Sequence, residues 1–193
     1  MNKIIKIASI LMVSTLLFQT KVIAQSNDYW DKETIDAAFK KELMDLGFKD
    51  GKYLDLKYNS ATHHPYVVFN NVIHTAEVPA LRPDGTALQG RVPSQVSQEQ
   101  LLVASRLSCV GAINVIKNAV GGDLSKVRKI ANIRYLTLSD PEYIDYALVS
   151  NECSTLMVRV FGQTVGSHTR FAIGLTSSQD DVSFKLNLIA YLK

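Results

Sequence analysis

Cysteine, proline, glycine and net charge are all in short supply. Only two cysteines occur in 193 residues, with no C-x-x-C pair and no metal-type cysteine spacing. That excludes a small disulfide scaffold and a cysteine-built zinc site. Five prolines and ten glycines are too few for a collagen-like or low-complexity chain. With 47% hydrophobic and 20% charged residues, the composition is neither that of a disordered chain nor that of a multi-pass membrane protein. The formal charge of +3 overstates the basic character, because Lys3, Lys6 and Lys21 all lie in the first 24 residues, where no acid occurs. The remainder carries 18 residues of each sign. A neutral remainder offers no bulk attraction to nucleic acid or to an anionic membrane.

What is present begins with an address. Two lysines precede an almost wholly apolar run over residues 7–18, the length of a signal h-region and too short to span a bilayer comfortably. Val22-Ile23-Ala24 then presents a signal-peptidase site, with Gln25 as the new terminus. An uncleaved anchor fits less well, because polar Gln19, Thr20 and Lys21 interrupt the run. The segment 1–24 is therefore read as a signal peptide of an exported, periplasmic bacterial protein, with no membrane contact after cleavage. Export permits a disulfide. Cys109 and Cys153 both fall in segments read as helices and are taken as two small buried residues. A bridge between them requires those helices to lie side by side.

Residues 31–47 have Ile35, Ala38, Phe39, Leu43 and Leu46 at helical spacing, with Gly47 as a stop. The polar stretch 49–65 reads as a connector, so residues 25–65 form an N-terminal helix and linker. Two β-rich runs, 66–69 and 72–78, flank Asn70-Asn71, a pair that tolerates positive φ and predicts a hairpin. Ser97-x-x-Gln100 is a capping box for a long apolar helix that Gly121-Gly122 closes. Residues 127–138 read as a strand. Ser139-Asp140-Pro141-Glu142 predicts the start of a second long helix, running to about 160. In 168–175 and 182–191 apolar residues alternate with polar ones, which predicts two strands. Phe171 and Ile173 are placed beneath the helices. Arg170, Lys185 and Asn187 are placed together on the opposite face, either wet or against another subunit. The order is β-β-α-β-α-β-β, an α+β sheet with two long helices packed on one face, preceded by the N-terminal helix.

This order and several local strings resemble the RidA/YjgF superfamily, in its YjgF/chorismate-mutase-like branch once labelled endoribonuclease. The strings are Phe69 to Pro79 (FNNVIHTAEVP), Gly90 to Val96, Gly122-Asp123-Leu124-Ser125-Lys126-Val127, and Val158-Arg159-Val160-Phe161-Gly162. His168-Thr169-Arg170-Phe171-Ala172-Ile173-Gly174 and Leu188-Ile189-Ala190 complete the set. The resemblance makes 66–193 a RidA-like domain. It implies a homotrimer with a small-molecule cleft at each subunit interface. It further implies hydrolysis of reactive imines or enamines to ketoacids and ammonia, without a cofactor. The family's pocket arginine corresponds to Arg170, whose planar fork suits a substrate carboxylate.

The sequence departs from that pattern in two places. Lys185 stands where the family has a glutamate, and a lysine cannot serve as that base. The family's Ser-Gly-Gln in the hairpin appears as Thr75-Ala76-Glu77, leaving Glu77 as a substitute acid, as a partner that neutralises Lys185, or facing solvent. The site expected from sequence is thus Arg170, Lys185, Thr75, Ala76 and His168, with a small carboxylate as ligand. Among the four histidines no H-x-x-x-H or H-E-x-x-H pattern occurs, so no metal is expected. A non-catalytic binding module of the same fold is the alternative. Nuclease activity finds little support, for no basic stripe with interleaved aromatics is present.

Overall fold

The structure is a computed structural model that describes residues 29–54 and 62–193. The expected signal peptide, and Asn59 and Ser60 of the connector, lie outside the described residues.

Helix α1 spans Lys32–Asp45, opened by the Asp31 side chain accepting from the Thr34 amide at 2.8 Å. Ile35, Phe39 and Leu43 recur at i, i+4 and i+8 and are buried in the same apolar core as the sheet. A second tie is polar. Glu42, 5% exposed, receives Arg159 through Nε at 2.5 Å and Nη2 at 3.1 Å, and Arg106 Nη2 at 3.2 Å. One carboxylate thereby joins α1 to both long helices.

Strands β1 (Tyr66–Phe69) and β2 (Val72–Thr75) form the expected hairpin, with Asn70 and Asn71 at φ of 48° and 60°. The second run is shorter than expected, because the pairing slips. His74 opposes Ile189, whereas Val78 in β3 (Val78–Pro79) opposes Leu186, so the hairpin side has one residue more. The Thr75 hydroxyl accepts the Leu188 amide at 3.0 Å across this bulge, and the Ala76 amide turns to Pro65 O.

Helix α2 (Gln98–Ala119) begins at the predicted capping box: Gln100 N reaches Ser97 Oγ, and Ser97 N reaches Gln100 Oε1. Strand β4 (Val127–Leu138) is as expected. Helix α3 covers Tyr146–Gly166 rather than about 140 to 160. The presumed cap is occupied elsewhere. The Asp140 carboxylate accepts the Ser94 amide at 3.1 Å, and Ser139 bridges to Val92, so this segment tethers the loop before α2. At the other end α3 passes through Gly162, at φ 74° and ψ 166°, a conformation essentially confined to glycine.

Strands β5 (Thr169–Leu175) and β6 (Phe184–Leu192) complete a sheet ordered β1-β2-β6-β4-β5, with β3 also on β6. Pairing is antiparallel except for β4–β5, the parallel pair that α3 connects. The two long helices cover one face, and they do lie side by side. Cys109 and Cys153 form a disulfide across α2 and α3, with Cα atoms 5.4 Å apart. The reading of two separate buried thiols is corrected accordingly.

The register corrects one further expectation. Arg170 opposes Ile133 and Ala172 opposes Tyr135, and both β4 residues are buried beneath the helices. Neighbours across a ladder share a face. Arg170, Ala172 and Gly174 therefore point toward α3, and Gly174 is small because the Tyr146 hydroxyl occupies the place of a Cβ. Phe171 and Ile173, expected under the helices, are 46% and 41% exposed on the open face. In β6 the expected sides hold: Phe184, Leu186 and Leu188 are buried, while Lys185 opposes Leu136 and Asn187 opposes Arg134 on the open side.

Candidate functional site

Arg170 and Lys185, expected together, lie on opposite faces of the sheet. Each has its own neighbourhood.

On the open face, Lys185 Nζ pairs with Glu77 Oε2 at 3.2 Å, the lysine side chain being 13% exposed and the glutamate half in water. Of the three alternatives foreseen for Glu77, this contact is the neutralising one, with half of the side chain still in water. Around the pair lies a pocket of 340 Å³ lined by His63, Pro79, Gln179, Asp180 and Val182. Thr75 and Ala76 hold the bulge through their bonds to Leu188 and Pro65, which gives both a structural task.

On the helix face, β5 is an edge strand, and Arg170 reaches from it to α3. Its Nη1 donates to Ser154 Oγ at 2.8 Å and its Nη2 to Asn151 Oδ1 at 2.6 Å. Asn151 and Ser154 are i and i+3 on α3, so they share a helix face. Both acceptors are neutral. A guanidinium carries five donors, and two are used here. Among the described residues no carboxylate forms an ion pair with Arg170, so its charge and three N–H groups remain open to a ligand.

His168 stands beside it, on the same face of β5. Its Nδ1 lies 2.7 Å from Gly166 O. A carbonyl only accepts, so Nδ1 carries the hydrogen and Nε2 keeps its lone pair. Burial holds this imidazole below its usual range, and the positive charges of Arg170 and Lys129 act in the same direction. The Ser154 hydroxyl lies 3.1 Å from Nε2 and donates to it. Tyr135 OH is 3.3 Å from Ser154 Oγ, and burial pushes its pKa up to about 12, so it stays protonated. Sequence reasoning named Arg170 and His168 but missed Asn151, Ser154 and Tyr135. The i, i+3 pair of small polar residues on an otherwise apolar helix was the available signal. Among the described residues no three His, Cys, Asp or Glu side chains gather as a metal site would need.

The architecture has solved counterparts. A protein of unknown function from Agrobacterium tumefaciens, Atu1372, is 25% identical with a TM-score of 0.72, over 84% of this chain and 98% of that one. An endoribonuclease candidate from Shewanella oneidensis is 20% identical with a TM-score of 0.69, over 79% and 98%. The chain shares its fold with both. No family model matches it. Protein TCP17 of Trypanosoma cruzi is 26% identical over 91 residues, 47% of this chain. The match spans 56% of the length of that curated relative.

Proposed function

We propose that this chain is an exported, trimeric RidA-like protein that binds small carboxylates through Arg170 and hydrolyses reactive imines or enamines to ketoacids and ammonia. One observation carries the reading: an exposed guanidinium, steadied by two neutral acceptors and paired with no acid among the described residues. Such a fork is preorganised for a carboxylate, and two parallel charge-assisted hydrogen bonds give both affinity and orientation. The open sheet face presents Val67, Phe69, Phe171, Ile173 and Tyr191 to solvent, an apolar patch that favours association with further copies. A Cys109–Cys153 disulfide suits an oxidising compartment.

The commitment of Glu77 to Lys185 favours a second reading, in which the pocket binds but does not turn over. Differential scanning fluorimetry with pyruvate and larger 2-ketoacids tests the shared claim. Ligand should raise the melting temperature of the parent and leave Arg170→Ala unmoved; equal stabilisation of both proteins rejects Arg170 as the anchor. An imine generated in situ by an amino-acid oxidase separates the two readings, because ammonia release no faster than in buffer leaves only binding. Light scattering on the eluting protein reads the trimer directly, and a monomer mass rejects it. The endoribonuclease description of the Shewanella protein is not carried over, since the balanced charge of residues 25–193 gives RNA no bulk attraction.

A further inference from the structure

Among the described residues no carboxylate pairs with Arg170, yet the helix face of β5 holds a different base. We infer that His168, acting through the Ser154 hydroxyl, is the proton acceptor that activates water for attack on an imine whose carboxylate is held by Arg170. This rests on the imine-hydrolysis reading above and names the groups that would perform it.

The geometry is a chain of three. Arg170 Nη1 lies 2.8 Å from Ser154 Oγ, and Ser154 Oγ lies 3.1 Å from His168 Nε2. The Gly166 carbonyl, 2.7 Å from Nδ1, fixes the ring and its tautomer, so the lone pair is aimed at the serine. Ser154 Oγ has one donor at full hydrogen-bond distance, Arg170. Tyr135 OH, at 3.3 Å, is longer than an ordinary O–H···O bond. A water molecule that displaces this long Tyr135 contact gains the second oxygen lone pair. The charged groups acting on the imidazole are Arg170 from β5 and Lys129 from β4, both positive, with Tyr135 the other titratable neighbour. Lys129 Nζ is itself held by Thr164 O and Ser167 Oγ, at 2.6 and 2.9 Å. Burial, and after it the two cations, favours the neutral imidazole, which is the state a base requires.

The step balances. Water donates a proton to Ser154 Oγ as Ser154 passes its own to His168 Nε2. The water oxygen bonds to the imine carbon, and the C=N π pair moves to nitrogen. The proton then returns from His168 through Ser154 to that nitrogen. The C–N bond breaks with its electron pair on nitrogen, the carbinol O–H bond supplies the new C=O, and the hydroxyl proton leaves on ammonia as ammonium. One iminium carboxylate and one water give one ketoacid and one ammonium, with no oxidant or cofactor.

The test uses the full mature chain with Ser154→Ala, His168→Gln and His168→Asn, each read for 2-ketoacid thermal shift, for kcat and KM of ammonia release, and for the pH profile. A positioned base contributes about 10²- to 10⁴-fold. All three variants should lose kcat in that range; the two His168 variants should also keep the ketoacid shift and hold KM, whereas Ser154→Ala also removes an acceptor of Arg170 and is judged by kcat alone. In the parent, kcat should fall as pH drops through the imidazole midpoint below 6.5, and that acid limb should vanish in both His168 variants. Turnover within twofold of the parent, or an unchanged acid limb, overturns the relay. Should the substituted chains fail to fold, NMR titration of the parent's imidazole decides: its midpoint must coincide with the acid limb, and a mismatch overturns the proposal. A parent that takes the ketoacid shift but releases no ammonia sinks the relay and leaves carboxylate binding standing. A parent with neither response sinks the binding reading as well.

Discussion

Replacing Cys109 and Cys153 together by alanine removes the one covalent tie between α2 and α3. The double substitution is the cleaner perturbation, because a single change leaves an unpaired thiol in the core. The two residues are 44 apart in sequence. In the chain-entropy treatment, closing a loop of that size removes about 13 cal/mol/K from the unfolded ensemble, or about 4 kcal/mol at 25 °C. Both cysteines are fully buried, so lost sulfur packing adds to this figure rather than offsetting it. For a chain of this length each kcal/mol moves the melting temperature by about 2–4 °C. The double variant should therefore melt about 8–16 °C below the oxidised parent when followed by circular dichroism. Thiol titration of the unfolded, unreduced parent should find no free sulfhydryl. Two free thiols per chain, or a drop of less than about 3 °C in a parent proven to be bridged, refutes the reasoning.

Two further outcomes concern the attachments of the N-terminal helix. Glu42→Ala leaves Arg106 and Arg159 without their shared carboxylate. Loss of a buried partner costs about 3–5 kcal/mol, but Arg159 is 44% exposed at its side chain and water recovers part of that. We expect roughly 2 kcal/mol by urea unfolding, with Glu42→Gln milder; a neutral result would mean α1 is held by Ile35, Phe39 and Leu43 alone. Gly162→Ala meets two obstacles, a φ of 74° and the Trp30 ring 3.0 Å from the added Cβ. It should cost about 1–3 kcal/mol in the same assay, and a variant as stable as the parent would show that the break in α3 relaxes freely.

Much of the architecture was legible in the residues. The capping box at Ser97 and Gln100, the Asn70-Asn71 turn and the alternation in β6 are local signals, each settled within a few residues of chain. The start of α3 was misread for the same reason. Ser139-Asp140-Pro141 is a good helix opening by local chemistry, and nothing nearby in sequence says that the Asp140 carboxylate will be taken by the Ser94 amide 46 positions earlier. The face of β5 was a related failure. Alternation divides a strand into two sides but does not say which side meets the helices when one carries Phe171 and Ile173 and the other only Ala172 and Gly174. On an edge strand the smaller side wins, because α3 must approach closely and the Tyr146 hydroxyl fills the space beside Gly174.

By itself the sequence determined the element order, the turn chemistry and the presence of an arginine on the penultimate strand, because helix caps, hairpin turns and strand periods are written over two to eight residues. Only the tertiary structure decided that Arg170 faces Ser154, Asn151 and His168 while Lys185 faces Glu77, and that the two cysteines meet. Those outcomes depend on strand register and helix placement, which are fixed by contacts between residues far apart in the chain.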